Sequence, residues 1–157
     1  MTNPDTCLLR ACAEAWEESF HPDFRNQKNC SGFVKSVAKH LGIPIPPTAR
    51  ADEIVDHIEA SWKSVATGAE AARQAASGVL VIVGLRAKDH SPARNEGHVA
   101  VVVAGALYRN KYPTVWGGST GSAQSKGTKS VGEVWATKDR DHAVYFAYAG
   151  AIPVCGG

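Results

Sequence analysis

A chain of 157 residues, 44% hydrophobic and 20% charged, is long enough to bury a core and too apolar for wholesale disorder. Its net charge of +2 comes without a concentrated basic stripe, which argues against nucleic-acid binding. No apolar run reaches the length of a membrane span, so membrane insertion is not expected. The start, Met1-Thr2-Asn3-Pro4-Asp5, lacks a basic n-region and an apolar h-region. The expectation is cytoplasmic synthesis without a secretory signal.

The first predicted helix runs from about Thr6 to Phe20, with Leu8, Leu9, Cys12, Ala15, Trp16 and Phe20 on one face and Glu14, Glu17 and Glu18 on the other. Cys12 falls on the apolar stripe and is expected in the core. A polar loop, His21 to Asn29, hands over to a second helix in which Phe33, Val34, Val37, Ala38 and Leu41 recur at helical spacing. Gly42 ends that pattern, and the extended Pro44-Ile45-Pro46-Pro47 follows. Cys30 thus opens a buried helix beside unpaired N–H groups, where a thiol pKa is expected to fall. Asn29 or Ser31 would cap that end. The competing reading is that Cys30 is only a small buried hydrophobe.

A third helix is predicted from Asp52, carrying Ile54, Val55, Ile58, Trp62 and Val65 on one side. Thr67-Gly68-Ala69-Glu70 fits a capping box before an Ala-rich helix that ends at Gly78. His40 and His57 read as exposed helical positions, and their spacing matches no metal motif. From Gly78 onward the chain changes character. Val79 to Val83 reads as a buried strand, and Arg86 to Glu96 as a polar loop holding His90. Gly97-His98-Val99-Ala100-Val101-Val102-Val103 then places an imidazole at the mouth of a strand. His90 is the rival base, and His98 is preferred because a strand fixes its ring.

Leu107 to Pro113 reads as a turn with aromatic anchors, and Thr114-Val115-Trp116 as the next strand. Gly117 to Lys129 has the composition of a flexible loop without a phosphate-loop signature. Ser130-Val131-Gly132-Glu133 offers a capping box for a short helix through Trp135. Asp139-Arg140-Asp141 reads as a charged turn, and Ala143 to Ala149 as the last strand. Helices first and strands second predict an α+β fold with a mainly antiparallel sheet, as one domain over residues 1–157. Cys7 and Cys155 lie near the two ends, and are read either as a bridge tying down both termini or as two free thiols.

A Cys opening a helix and a distant His opening a strand form the pattern of papain-like hydrolases. More specifically, the chain resembles the first family of type VI secretion amidase effectors, papain-like enzymes of the NlpC type. The resemblance rests on Asn29-Cys30-Ser31-Gly32-Phe33-Val34, Ser77-Gly78, and Gly97-His98-Val99-Ala100-Val101-Val102. Leu107-Tyr108-Arg109, Lys111-Tyr112-Pro113, Lys129-Ser130-Val131-Gly132 and Asp139-Arg140-Asp141 add to it, so it covers nearly the whole chain. It implies a helical N-terminal half packed on the sheet, Cys30 as nucleophile and His98 as general base and acid, with no metal and no cofactor. It implies cleavage of the peptide stem of peptidoglycan between D-glutamate and meso-diaminopimelate.

The same resemblance implies delivery by a type VI secretion system into the periplasm of a target cell, and a cognate periplasmic immunity protein as partner. In that oxidising space a Cys7–Cys155 bridge could form. A monomer is expected. Ser31, Trp116 and Ser119 are the candidates for binding substrate. The family's third active-site position falls near Gly117, which has no side chain to offer. Either its backbone carbonyl orients His98, or Thr114 or Ser119 does so. The alternatives are a housekeeping cell-wall cysteine peptidase, a phage-type lysin and, from another class, a non-catalytic cell-wall binding or inhibitory module.

Overall fold

The computed structural model describes residues 4–152, so Cys155 lies outside the described residues. Helix α1 (Thr6–Trp16) buries Leu8, Ala11, Cys12, Ala15 and Trp16. It stops short of Phe20, because Asn26 captures the chain: its Oδ1 accepts from the Phe20 N–H at 2.9 Å and its amide donates to the Ala15 carbonyl at 2.8 Å. Helix α2 (Cys30–His40) begins at the expected residue, with Phe33, Val34, Val37 and Ala38 buried. Gly42 follows it at φ 71°, the left-handed conformation a helix end favours.

Helix α3 (Ala51–Ser61) packs Ile54, Val55 and Ile58 inward. Trp62 and Val65 do not continue it. The chain leaves the helix after Ser61, and Lys63–Val65 forms strand β1, pairing antiparallel with Tyr145–Ala147. Val65 is still buried, but by a strand's geometry rather than a helix's. Local periodicity could not foresee this, because the hydrogen-bond partners that make β1 a strand lie some eighty residues away. Helix α4 (Gly68–Ala76) starts at Thr67, whose hydroxyl accepts from the Glu70 N–H at 3.1 Å.

The remaining strands are β2 (Val81–Leu85), β3 (His98–Val102), β4 (Thr114–Gly117), β5 (Ser125–Ser130) and β6 (Val144–Ala147). They form one antiparallel sheet of six strands in the order β1-β6-β2-β3-β4-β5. The α+β expectation holds. The flexible-loop reading of Gly117 to Lys129 fails over its second half, which is β5. There the ladder shifts register between Val115 and Trp116. The buried Ser125 hydroxyl patches the irregularity, donating to the Val115 carbonyl at 2.7 Å and accepting from the Lys129 N–H at 3.0 Å. A Ser/Lys/Thr composition conceals such a strand, since its pairing comes from β4 rather than from apolar alternation.

Short helix α5 (Val131–Val134) follows β5, with the Glu133 carboxylate accepting from the Ser130 N–H at 2.9 Å, as the capping-box reading predicts. The two faces of the sheet are covered differently. On one face Trp116 stacks on Phe33 of α2, with ring centroids 6.5 Å apart and planes within 6°. Val55 of α3 and Val99 crowd the same side at Gly84. His98 and Ala100 alternate to the other face, where the His98 ring meets Trp135, just after α5. The central strands β2 and β3 are almost wholly buried from both sides.

Candidate active site

Cys30 is the first residue of α2. Its position is set by Asn29, whose side chain accepts from the Gly32 N–H at 3.0 Å and also holds the Ser31 hydroxyl at 3.1 Å. Asn29 is therefore the cap, and Ser31 turns its hydroxyl toward that cap. The loop below is pinned by buried Asn26, whose amide also donates to Ser36 Oγ of α2 at 2.9 Å. The end of β4 then runs directly over this segment. A Cβ on Gly118 would lie 1.9 Å from the Asn26 carbonyl oxygen, so only glycine permits the approach.

The Cys30 sulfur meets β3 through the backbone. The Val99 N–H hydrogen-bonds to it, which puts the thiol beside the peptide that joins His98 to Val99. The expected fall in the Cys30 pKa does not occur. Burial pushes the thiol up, and the N–H groups of Val99 and Ser31 pull against it; Glu96 adds to the rise and the Cys30 N–H opposes it. Desolvation of a small, half-buried thiolate outweighs what the helix start returns. The thiol is held protonated at neutral pH.

His98 shifts in the complementary direction. Burial lowers its imidazolium to about 4, and the charges of His90 and Arg94 push the same way. Cys30 and His98 thus rest as neutral thiol and neutral imidazole, and no hydrogen bond joins them. His98 Nε2 is buried without a partner, so it makes no bond to the Gly117 carbonyl. The ring instead rests against Trp135, centroids 5.0 Å apart and planes at 67°.

Register places Gly117 opposite Ala100, on the same face as His98; a Cβ there would stand 3.1 Å from the Ala100 Cβ. Thr114 lies at the other end of β4 and donates its hydroxyl to the Ala106 carbonyl at 3.2 Å. Ser119 is tied into its own loop: its N–H donates to the Gln27 carbonyl at 3.0 Å and its Oγ accepts from the Gly121 N–H at 3.1 Å. Neither hydroxyl reaches His98. Trp116 is half-buried between Phe33, Trp16 and Gly127, so most of its surface packs rather than opens.

The other cysteines are elsewhere. Cys12 is fully buried in α1, where desolvation raises its thiol out of reach. Cys7 packs against the core, and its expected partner Cys155 lies outside the described residues. Among the described residues no group of three His, Cys, Asp or Glu side chains is arranged to hold a metal ion. His40 is occupied by Glu14 of α1 and by Glu18 just beyond that helix, at 3.1 and 2.8 Å.

Two open clefts, of about 360 and 550 Å³, lie near Tyr112–Arg140 and near Lys35–Pro44, and neither includes Cys30 or His98. Chemistry rather than concavity identifies the site. Sequence reasoning did not single out Asn26 or Trp135. Both are ordinary residues in their local stretches, and no local signal marks them.

No family model matches the chain. It is 48% identical over 151 residues, 95% of this chain and 94% of the relative, to the peptidoglycan amidase Tse1 of Pseudomonas aeruginosa strain PAO1.

Proposed function

The chain belongs to the family of the peptidoglycan amidase Tse1, and from that premise we propose that it is an antibacterial cysteine amidase cutting the D-glutamyl–meso-diaminopimelate bond of the peptide stem. Cys30 is the nucleophile and His98 the base. The observation that carries the reading is the seating of the Cys30 sulfur, at a capped helix start against the Val99 N–H and one peptide from His98.

The neutral resting pair sets the order of events. As Sγ attacks the γ-carbonyl carbon of D-glutamate, His98 takes the thiol proton, so no free thiolate has to be desolvated beforehand. The carbonyl oxygen becomes an oxyanion beside the N–H groups that open α2. Each such donor is typically worth about 2.7–4 kcal/mol in the transition state. The imidazolium next gives its proton to the departing diaminopimelate amine as the C–N bond breaks, leaving a thioester on Cys30. Water, deprotonated by the same imidazole, attacks the thioester; the C–S bond breaks, the D-glutamate product leaves as a carboxylic acid that ionises in solvent, and the imidazolium returns its proton to the Cys30 sulfur.

Delivery by a type VI secretion system into the periplasm of a target cell, and neutralisation by a periplasmic immunity protein in the producer, complete the reading. They rest on the family resemblance. A Cys7–Cys155 bridge belongs to the same proposal, since it suits an oxidising compartment. Ser31, whose N–H faces the sulfur at the opening of α2, and Trp116, near the end of β4, are the proposed substrate contacts.

The test is a digest of purified disaccharide-tetrapeptide monomers and crosslinked dimers, read by liquid chromatography and mass spectrometry. A product ending in D-glutamate, formed by the wild type and not by Cys30→Ala, is expected. Cleavage at the sugar–L-alanine or interpeptide bond would overturn the bond assignment. Unchanged substrate would overturn the catalytic reading.

A further inference from the structure

The loop between β2 and β3 carries a histidine that the reaction above does not use. His90 is 4% exposed, and its Nδ1 lies 3.0 Å from the Arg86 carbonyl oxygen. A carbonyl only accepts, so in neutral His90 the proton sits on Nδ1 and Nε2 presents a bare lone pair. That Nε2 is buried without a partner. So is Nε2 of His98.

The fold ties the loop that carries His90 to the start of the strand that carries His98. Leu85 stands opposite His98 in the β2–β3 register, so Arg86, which anchors His90, is the next residue past that pair. The loop is folded back over the start of β3 by three further bonds. Ala87 N–H donates to Asp52 at 2.9 Å, Arg94 N–H to the Ala87 carbonyl at 2.9 Å, and Ser91 N–H to buried Asp139 at 2.7 Å. The two imidazoles are close enough to interact electrostatically, yet no direct hydrogen bond joins them. Trp135, in edge contact with the His98 ring, holds a third buried and unpartnered polar atom, its Nε1–H.

We propose that His90 is the positioning residue for His98, its Nε2 lone pair holding the His98 Nε2–H through one bridging water. Such a water would accept from His98 and Trp135 and donate to His90, the roughly three bonds a buried water typically makes. With its proton fixed on Nε2, His98 has a bare Nδ1 to take the Cys30 proton. Once it does, both nitrogens carry hydrogen, and the His90 end of the chain steadies the new imidazolium without itself receiving a proton. Gly117, with no side chain, leaves this role vacant on β4, and the β2–β3 loop fills it.

The inference rests on His98 being the base, so its test needs a readout that does not depend on cleavage. The charges felt at His98 are those of His90 and Arg94, both on the same loop. In the intact protein the tautomer of His98 is read by long-range nitrogen–proton NMR for the wild type, His90→Ala and His90→Gln. In parallel, kcat and KM are measured on disaccharide-tetrapeptide and thermal unfolding is followed.

The wild type should show His98 protonated at Nε2. His90→Ala should scramble that tautomer and lower kcat by about 10–100-fold with KM nearly unchanged, the usual scale for losing an orienting partner. His90→Gln, whose amide oxygen still accepts, should recover most of both. A His98 protonated at Nδ1 in the wild type overturns the proposal even if neither variant folds. An unchanged tautomer and kcat in His90→Ala, with only a lower melting temperature, also overturns it. A wild type that cleaves nothing refutes the amidase reading, while the tautomer still decides the role of His90.

Discussion

Cys30 and His98 are presented by opposite means. Everything that seats Cys30 on its helix lies within a few residues: Asn29 caps, Gly32 receives the cap, and Phe33 and Val34 turn the helix inward. His98 opens a strand, but its surroundings come from across the chain. Leu85 sets its register, His90 arrives from a loop, Trp135 follows α5, and Gly117 is contributed by β4. A nucleophile can be aimed by one capped turn, because a helix start fixes its own geometry. A base needs its tautomer and ring plane held, and that takes walls from several elements.

The sharpest way to break the pair is Cys30→Ala. It should reduce cleavage by roughly 10⁶-fold, the scale of removing a nucleophile, and leave the melting temperature nearly unchanged. His98→Ala should cost almost as much, since members of such a unit are not additive. Turnover rates and thermal melts of both variants check this.

The Cys30 side can be attacked from beneath. Asn26→Ala would take the acceptor from the half-buried Phe20 N–H and the donor from the buried Ser36 hydroxyl, and leave the Ala15 carbonyl with the Glu18 N–H alone. At about 1–3 kcal/mol for each unsatisfied group, with partial relief by relaxation, a loss of about 3–5 kcal/mol is expected in denaturant unfolding. Activity measured well below the melting point should survive in the folded fraction.

The His98 side should reveal itself in acid. Its folded pKa of about 4 lies below the ordinary 6.5. Between those values the unfolded chain binds a proton that the native state refuses, so stability is lost as pH falls from about 6.5 and the loss levels off below about 4. The gap corresponds to ~3 kcal/mol at one unit per 1.36 kcal/mol. His98→Gln should flatten that part of the stability curve, and denaturant titrations at pH 7, 5 and 4 would reveal it.

The smallest effect belongs to the cap. Asn29→Ala should cost about 1 kcal/mol, and Asn29→Asp much less. If Asn29→Ala lowers kcat far more than stability, the cap also aims the sulfur, and the local half of the site is as finely positioned as the distant half.

The legibility of the chain follows the same division. The starts of α2, α4 and α5 were readable from Asn29, Thr67 and Ser130, because a cap bonds within its own turn. Strand β3 and its leading histidine were readable from a β-branched run. Strand β1 was not, since Val65 fits a helical stripe as well as a strand. Strand β5 was hidden because Ser125 replaces apolar alternation with a hydroxyl that bonds a bulge. The sense of the Cys30 shift is not legible locally for a related reason. The helix start is local and visible, while the desolvation that outweighs it comes from β3 and the elements packed around it.

By itself the sequence determined the α+β order, the helix that Cys30 opens, the strand that His98 opens, and membership of an amidase family, since each rests on contacts within a turn or on residue-by-residue likeness. Only the tertiary structure decided that the pair rests neutral, that Gly117, Thr114 and Ser119 make no bond to His98, and that the charge of His90 is felt at His98. Those are matters of burial and register, and both are set by segments far apart in the chain.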